Sequence, residues 1–279
     1  MTQHRDRAEG WQHAKLSGHR NEERVLRLFS NPDFCKTFSK RLNVAPIIGA
    51  TIGGLNEKSV DGILGNSTKS KSDLSLTLQD NTYINISIKK SRGGQVYLIG
   101  VERFIEGFEK QFQVPIDDLI KNMMRLYFGG HPNMEEILKE INNKKEISER
   151  IKRYQQRKQR LVWDSLCIYN KEGAYKLLSW FRDNIGDIST FCFGRGLAMK
   201  SEDWADYVWY TNLIGEDNID KIFSIEEISK HSITNSNAIE IGKTLGGTTI
   251  QLPFGFVQWH QGKMQFHHRL DKIAKIVEQ

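Results

Sequence analysis

The sequence predicts a mixed α and β fold, and three observations lead to this prediction. Residues 73 to 90 alternate apolar and polar side chains with the two-residue period of β-strands. Phe104, Phe108 and Phe112 recur every four residues, which indicates a helix with one apolar face. Short strand-like runs, separated by glycine or polar residues, fill the last third of the chain. Helices and strands are therefore expected to be interspersed along the sequence.

The first element is predicted to be an amphipathic helix from about Gly18 to Phe29. Val25, Leu26 and Phe29 fall there at helical spacing. The stretch that follows, "LNVAPIIGATIGG", is apolar and contains glycine, and it fits neither the helical nor the strand period. Its type stays open.

The next element is predicted to be a β-hairpin over residues 73 to 90. Leucines alternate with polar residues in the first strand, "QDNT" is the turn, and isoleucines alternate with polar residues in the second strand. The period places Ser87 and Lys89 on one face of that strand and the isoleucines on the other. Lys90 faces with the isoleucines, which makes it the poorer partner for Asp73.

Helical segments are predicted to fill the middle of the chain. After the phenylalanine helix, "PIDDLIKNMMRLYFGG" has Pro115 near its start and glycines after its end, which are typical helix boundaries. Residues 144 to 160, rich in Lys and Arg, form a third helix that either follows a phosphate backbone or is a solvated helix face. Strand-like runs then follow: "STFCFG", "DYVWYT", "TTIQLPFGFVQW" and "KMQFHH".

Composition narrows the class of protein. The 279 residues carry a net charge of +6 from 40 basic and 34 acidic side chains, a modest excess that does not by itself indicate a polyanion partner. No apolar run is long enough to span a membrane, and the polar N-terminus lacks the pattern of a secretory signal. We therefore expect a cytoplasmic protein without a membrane partner. Three widely separated cysteines favour free thiols.

The predicted hairpin carries residues suited to phosphodiester hydrolysis. Asp73 would bind a hard divalent ion, with Mg²⁺ expected. Lys89, two residues after Ser87, would orient the nucleophile and offset developing negative charge. This is the PD-(D/E)xK pattern, with Ser87 where the second acid usually stands. The pattern alone occurs by chance in many proteins.

A wider set of segments resembles the small type II restriction endonucleases of the MspI and HinP groups. "SGHRNEERVLRLF" resembles their opening helix, "KSKSDLSL" and "NISIKKSRGGQV" their catalytic hairpin, and "FGRGLAMKSEDWADYVWY" a later segment. "TIQLPFGFVQWHQGKMQFHHRL" resembles their C-terminal strands. The resemblance implies a restriction-endonuclease-like core with a central mixed sheet flanked by helices. It also implies one catalytic domain over residues 1 to 279, with the core in about 1 to 130 and a helical insertion and DNA-recognition part in 131 to 279.

The same resemblance implies the site residues. The catalytic set would be Asp73, Ser87, Lys89, Glu22 and Gln95, with Asp73 and Glu22 reaching the metal or its water. Members of these groups carry Asn or Gln at the position of Ser87, so a non-acidic residue is familiar there. DNA contacts are expected from the C-terminal part and the "FGRG" segment, because Arg and Lys can read guanine and Gln can read adenine. These candidates are Lys243, Thr244, Gln258, His260, Lys263, Gln265, Arg269 and Arg195.

The expected function is that of a Mg²⁺-dependent type II restriction endonuclease of a restriction-modification system. It would cut double-stranded DNA at a short site, by resemblance a four-base palindrome, and leave 5′-phosphate ends. A palindromic target favours a homodimer, but these groups include monomers, so both states stay open. Two alternatives are a non-catalytic DNA-binding module and a repair or nicking nuclease. A serine acylase with an S-x-x-K motif is set aside, because strand alternation puts Ser87 and Lys90 on opposite faces.

Overall fold

The computed structural model describes residues 7–53, 59–215 and 218–276. The α-helices in these ranges are α1 (Arg7–Leu28), α2 (Pro32–Leu42), α3 (Val101–Phe112), α4 (Asp118–Phe128), α5 (Met134–Asn142), α6 (Glu149–Lys158), α7 (Trp163–Tyr169), α8 (Lys171–Asp183), α9 (Ile185–Thr190), α10 (Ile225–Thr234) and α11 (Leu270–Ile273). The strands are β1 (Ile47–Ile52), β2 (Ser59–Asp61), β3 (Ser67–Lys69), β4 (Leu74–Leu78), β5 (Tyr83–Lys89), β6 (Gly93–Gly100), β7 (Tyr207–Thr211), β8 (Asp220–Ser224), β9 (Glu240–Ile241), β10 (Thr249–Leu252), β11 (Gly255–His260) and β12 (Lys263–Arg269).

Two five-stranded sheets dominate the architecture. The first sheet has the order β1-β4-β5-β7-β8, and the second has the order β6-β12-β11-β10-β9. In the first sheet β5 and β7 run parallel while the other neighbours are antiparallel. The second sheet is antiparallel throughout. The short pair β2 and β3 stands apart.

The first sheet is buried on both faces. One face packs on α1 and α2, where Val25 and Phe38 contact the apolar residues of the β4–β5 hairpin. The other face joins a larger core with the middle helices and the second sheet. Strand β7 shows this division, because Trp209 lies in the first core while Val208 and Tyr210 lie in the second. The prediction of a mixed α and β fold with a central mixed sheet flanked by helices is thus confirmed.

The hairpin over residues 73 to 90 is also confirmed. Strands β4 and β5 pair antiparallel, with Leu74 opposite Ile86 and Thr77 opposite Tyr83. The turn is closed by Asp80, whose Oδ1 accepts a hydrogen bond from the Thr82 backbone N–H at 3.0 Å. Short polar side chains of this kind stabilise tight turns by bonding their own backbone.

Two local predictions differ from the structure, and one open case is decided by it. "STFCFG" is not a strand: it lies in α9 and the π-helical turn Phe191–Arg195. Its aromatic residues suggest a strand by propensity, but Phe191 packs edge-on against Phe104 in the helical core, and this tertiary contact prevails. The first helix begins at Arg7 and not near Gly18, because the preceding residues are mostly good helix formers. The uncertain apolar stretch contains the edge strand β1.

The predicted basic helix is shorter than expected. It is α6, and Arg160 lies beyond it, fully buried, with its guanidinium 4.6 Å from the Tyr127 ring and its Nη1 donating to the Thr248 carbonyl oxygen at 3.4 Å. Arg160 therefore anchors the core and does not face solvent. Within the described ranges, no helix combines the length and apolarity that a membrane crossing requires.

Candidate active site

Asp73 stands at the start of β4, at one end of the first sheet. Its backbone N–H donates to the Ile86 carbonyl oxygen at 2.9 Å, so strand pairing fixes its position. The carboxylate Oδ2 accepts two hydrogen bonds, from the Ile88 backbone N–H at 2.7 Å and from Ser87 Oγ at 3.1 Å. Oδ1 receives no hydrogen bond from the residues that the structure describes, so one carboxylate oxygen stays available.

Lys89 lies on the same face of β5 as Ser87. Its Nζ donates to Ser87 Oγ at 2.6 Å and to the Ile88 carbonyl oxygen at 3.3 Å, and it lies 3.9 Å from Asp73 Oδ2. The side chains of Lys89 and Asp73 keep 20% and 26% of their surface exposed. The structure thus brings Asp73, Ser87 and Lys89 into one hydrogen-bonded chain that a ligand can reach.

Glu22 reaches the same place from α1. The next residue toward the N-terminus, buried Asn21, donates from Nδ2 to the Thr211 carbonyl oxygen at 2.9 Å and accepts from the Leu213 N–H at 2.8 Å. These two bonds fasten α1 to the end of β7. Burial, together with the nearby charge of Asp73, raises the pKa of Glu22, although His19 and Lys89 act in the opposite sense.

These residues fit a hard divalent cation. Asp73 and Glu22 act on each other, and each has one basic neighbour: Lys89 Nζ lies 3.9 Å from Asp73 Oδ2, and His19 Nδ1 lies 3.5 Å from Glu22 Oε2. The pKa of Glu22 is raised all the same, and a divalent cation held by both carboxylates would relieve their repulsion. Mg²⁺ commonly takes only one or two protein carboxylates and completes its shell with water and substrate phosphate. The described residues contain no group of three or more His, Cys, Asp or Glu side chains that could hold a metal ion. A cation held by these two carboxylates would therefore take its remaining ligands from water or from a substrate.

A buried histidine lies behind the site, and the sequence did not single it out as a partner of Lys89. His268 on β12 is 2% exposed, and its Nδ1 lies 3.1 Å from the Tyr210 hydroxyl. Burial, and next the positive charge of Lys89, lowers the pKa of His268 to about 3. Tyr210 is the ladder partner of Lys89 between β5 and β7. Tyr210 of the first sheet and His268 of the second sheet thus meet beside Lys89.

Gln95 belongs to a different group of residues. Its Oε1 accepts from Gln265 Nε2 at 2.8 Å, and Gln265 Oε1 in turn accepts from Gln258 Nε2 at 2.9 Å. The structure gives Gln95 no hydrogen bond to Asp73 or Lys89. The three amides cross neighbouring strands β6, β12 and β11 on the outer face of the second sheet. We call this row the glutamine ladder.

The other predicted DNA contacts divide between two places. His260 and Lys263 are opposite each other on β11 and β12, beside the glutamine ladder. Three more candidates are exposed near the ends of the second sheet, namely Lys243, Thr244 and Arg269. Arg195 lies elsewhere: its guanidinium is 4.4 Å from the Trp204 ring centroid and 5.2 Å from that of Phe112, half-buried between the helices.

Comparison with solved structures adds a likeness of fold. No protein-family model matches the chain, and no curated protein matches it. A solved structure, the restriction endonuclease MspI in complex with its cognate DNA, is similar with a TM-score of 0.49 and 14% sequence identity. The match covers 84% of this chain and 77% of that chain. At this level of similarity, function has to be argued from the residues of this chain.

Proposed function

We propose that the protein is a Mg²⁺-dependent endonuclease that cuts double-stranded DNA at a specific short site, as a type II restriction endonuclease does. The observation that carries the proposal is the chain of hydrogen bonds from Lys89 through Ser87 to Asp73, with Glu22 brought beside it. In this arrangement the acid offers an oxygen ligand to a metal ion, and the lysine offers a positive charge to the phosphate. The hydroxyl joins the two by hydrogen bonds. The chain is proposed to act in the cytoplasm within a restriction-modification system.

Lys89 is proposed to act directly on the reacting groups. Its Nζ uses Ser87 Oγ and the Ile88 carbonyl oxygen as acceptors, which fixes the ammonium while leaving one direction open. A positioned ammonium orients a nucleophilic water and stabilises the charge that grows on the phosphate in the transition state. The neutral Tyr210–His268 pair behind it accepts no proton from Lys89, because the pKa of His268 is about 3.

Asp73 and Glu22 are proposed to hold the cation. Asp73 offers Oδ1 while Ile88 and Ser87 restrain Oδ2, and Glu22 supplies the second carboxylate from α1. Mg²⁺ at this place would polarise a phosphate oxygen and offset the two carboxylates. Ser87 stands where a second acid is common in such sites. It carries no charge, but its hydroxyl accepts from Lys89 and donates to Asp73, which keeps the lysine aimed.

The glutamine ladder is the proposed surface for reading bases. Glutamine side chains offer a donor and an acceptor together, which matches the adenine edge in the major groove. Gln258 donates to Gln265, and Gln265 donates to Gln95, so the two hydrogen bonds run in the same direction along the row. They restrain how each amide is turned. Flanking Lys263 and His260 would add a cation and a further polar contact. A four-base palindrome, 5′-phosphate ends and a homodimer on DNA are parts of the same proposal, and they rest on the sequence resemblance.

The test is to incubate the purified protein with a plasmid of known sequence and Mg²⁺ and to map the ends. Discrete fragments with 5′-phosphates at one repeated sequence are expected, and chelation by EDTA should abolish them. Nicked circles without linear product would favour a nicking or repair nuclease. Tight duplex binding without any cleavage would favour a DNA-binding module and refute the proposed enzyme.

A further inference from the structure

A second polar site lies next to the proposed catalytic residues. A cleft of about 540 Å³ opens between β3, β6 and the beginning of α3. Four basic side chains line it: Lys69, Lys71, Arg103 and Lys263. Its lining contains no aspartate or glutamate among the described residues. We call it the basic cleft.

The cations of the basic cleft differ from many others on the molecule. Elsewhere, cations pair with acids, as Arg125 does with Glu102 at 2.7 Å and Lys121 with Glu109 at 2.8 Å. The four basic side chains of the cleft form no ion pair within the described residues; Arg103 donates to the amide oxygen of Asn66 at 3.4 Å. Like charges gathered at one place repel each other, and a bound anion relieves that repulsion.

Lys71 is the fixed member of the cleft. The side chain as a whole is half-buried, but its Nζ is enclosed, donating to the Cys192 carbonyl oxygen at 2.6 Å and lying 4.0 Å over the Tyr97 ring. Burial lowers the pKa of Lys71 to about 7, so a bound anion would favour its charged form. Gly196 has a φ of +56°, and a Cβ there would come within 2.9 Å of Lys71 Cε. Only glycine lets the chain close so tightly over the lysine. Asp73 follows Lys71 by two positions, so the basic cleft adjoins the β4–β5 hairpin that carries the proposed catalytic residues.

The beginning of α3 adds backbone donors to the same cleft. Gly100, its N-cap residue, lines the cleft and provides no side-chain cap, and a Cβ on it would meet open space. The first-turn acid Glu102 is drawn away by two hydrogen bonds to Arg125. Free N–H groups and the positive end of a helix dipole favour an oxyanion.

We propose that the basic cleft binds a backbone phosphate of the nucleic acid, one that neighbours the phosphate to be cut. The proposal rests on the proposed function and deepens it. Lys263 and Gln95 line the cleft and also lie on the outer face of the second sheet. A strand that passes from the glutamine ladder to Asp73 would therefore cross the cleft. Its role is to set the register of the backbone, since phosphate contacts position a protein without reading sequence.

The proposal is tested with the double variant Lys69→Met and Arg103→Met. Both side chains are exposed and so should be removable without unfolding, unlike enclosed Lys71. The matched control removes two exposed cations elsewhere, Lys36→Met and Lys110→Met, and Lys110 stands at the other end of the same helix as Arg103. Affinity for a labelled duplex is measured without Mg²⁺ across about 50 to 200 mM salt.

Each lost phosphate contact should lower the slope of log K against log salt by about 0.9. The cleft variant, having lost one phosphate contact, is expected to lose about 1 in slope and about tenfold in affinity, equally for target and unrelated duplexes. The control pair is expected to lose less than half of that. A slope equal to the control, in a protein that still cuts its plasmid site, would overturn the cleft proposal and leave the nuclease intact. A wild-type protein that neither binds nor cuts duplex DNA would overturn both proposals.

Discussion

The two five-stranded sheets use polar residues in opposite ways. At the end of the first sheet, charged side chains are few and half-buried, and hydrogen bonds as short as 2.6 Å fix them. On the outer face of the second sheet, neutral amides form a row that stays open to solvent. A site for chemistry needs charges with little freedom, because transition-state stabilisation depends on preorganisation. A surface for reading needs donors and acceptors that are satisfied by each other until the ligand arrives.

The largest expected effect concerns Lys89, at the end of the first sheet. Lys89→Ala removes the positioned ammonium and should slow cleavage by about 10³-fold or more, while duplex affinity changes less than about tenfold. Single-turnover cleavage and equilibrium binding measure the two separately. Lys90→Ala is the neighbouring control, since Lys90 follows the end of β5, and it should keep most of the activity. Equal losses in both variants would mean that general charge, and not position, matters.

The second prediction sharpens the role of the acid that comes from α1. Glu22→Gln keeps the shape but removes the carboxylate charge, so we expect cleavage about 10²-fold slower and a higher Mg²⁺ requirement. A Mg²⁺ titration of the cleavage rate measures both. Exposed Glu23 is the matched control, and Glu23→Gln should titrate like the wild type. An unchanged Mg²⁺ profile in Glu22→Gln would exclude Glu22 from the cation site.

The third prediction concerns the glutamine ladder on the second sheet, the proposed surface for reading bases. Gln265 is the middle amide of the glutamine ladder, so Gln265→Ala frees Gln258 and Gln95 from each other. Discrimination between the target and single-base variants should fall by about 1–3 kcal/mol, with the rate on the best site less affected. Cleavage rates on a panel of single-base variants give the result. Gln79→Ala, in the exposed hairpin turn, should leave the discrimination unchanged; unchanged discrimination in Gln265→Ala would remove the ladder from base reading.

The smallest effect concerns stability where the two sheets meet. His268 has a pKa of about 3 in the fold against an ordinary value of 6.5, so the unfolded chain binds the proton more readily. The stabilisation is complete above about pH 6.5 and is lost as pH falls toward 3. Between pH 7 and 5 this amounts to about 2 kcal/mol. The free energy of unfolding in urea is measured at pH 7 and pH 5. Its loss between the two pH values should be smaller in His268→Gln than in the wild type by about 2 kcal/mol, and an equal loss in both proteins would contradict the prediction.

Much of the β4–β5 hairpin could be predicted from local pattern. Strand alternation placed Ser87 and Lys89 on one face, and the structure has both within reach of Asp73. The helix containing Phe104 and Phe108 followed from its period in the same way. These features depend on residues a few positions apart, where backbone geometry dictates which side chains meet. "STFCFG" failed because long-range packing outweighed local propensity.

The sequence by itself determined most of the regular elements and the order of acid, hydroxyl and lysine in the hairpin. Only the tertiary structure decided what surrounds them. Asn21 binds the end of β7, which lies some 190 positions away, and brings Glu22 to the site. The pairing of β6 with β12 brings His268 behind Lys89, joins Gln95 to Gln265, and forms one wall of the basic cleft. Such contacts join segments whose separation leaves no period in the sequence, so the fold alone determines them.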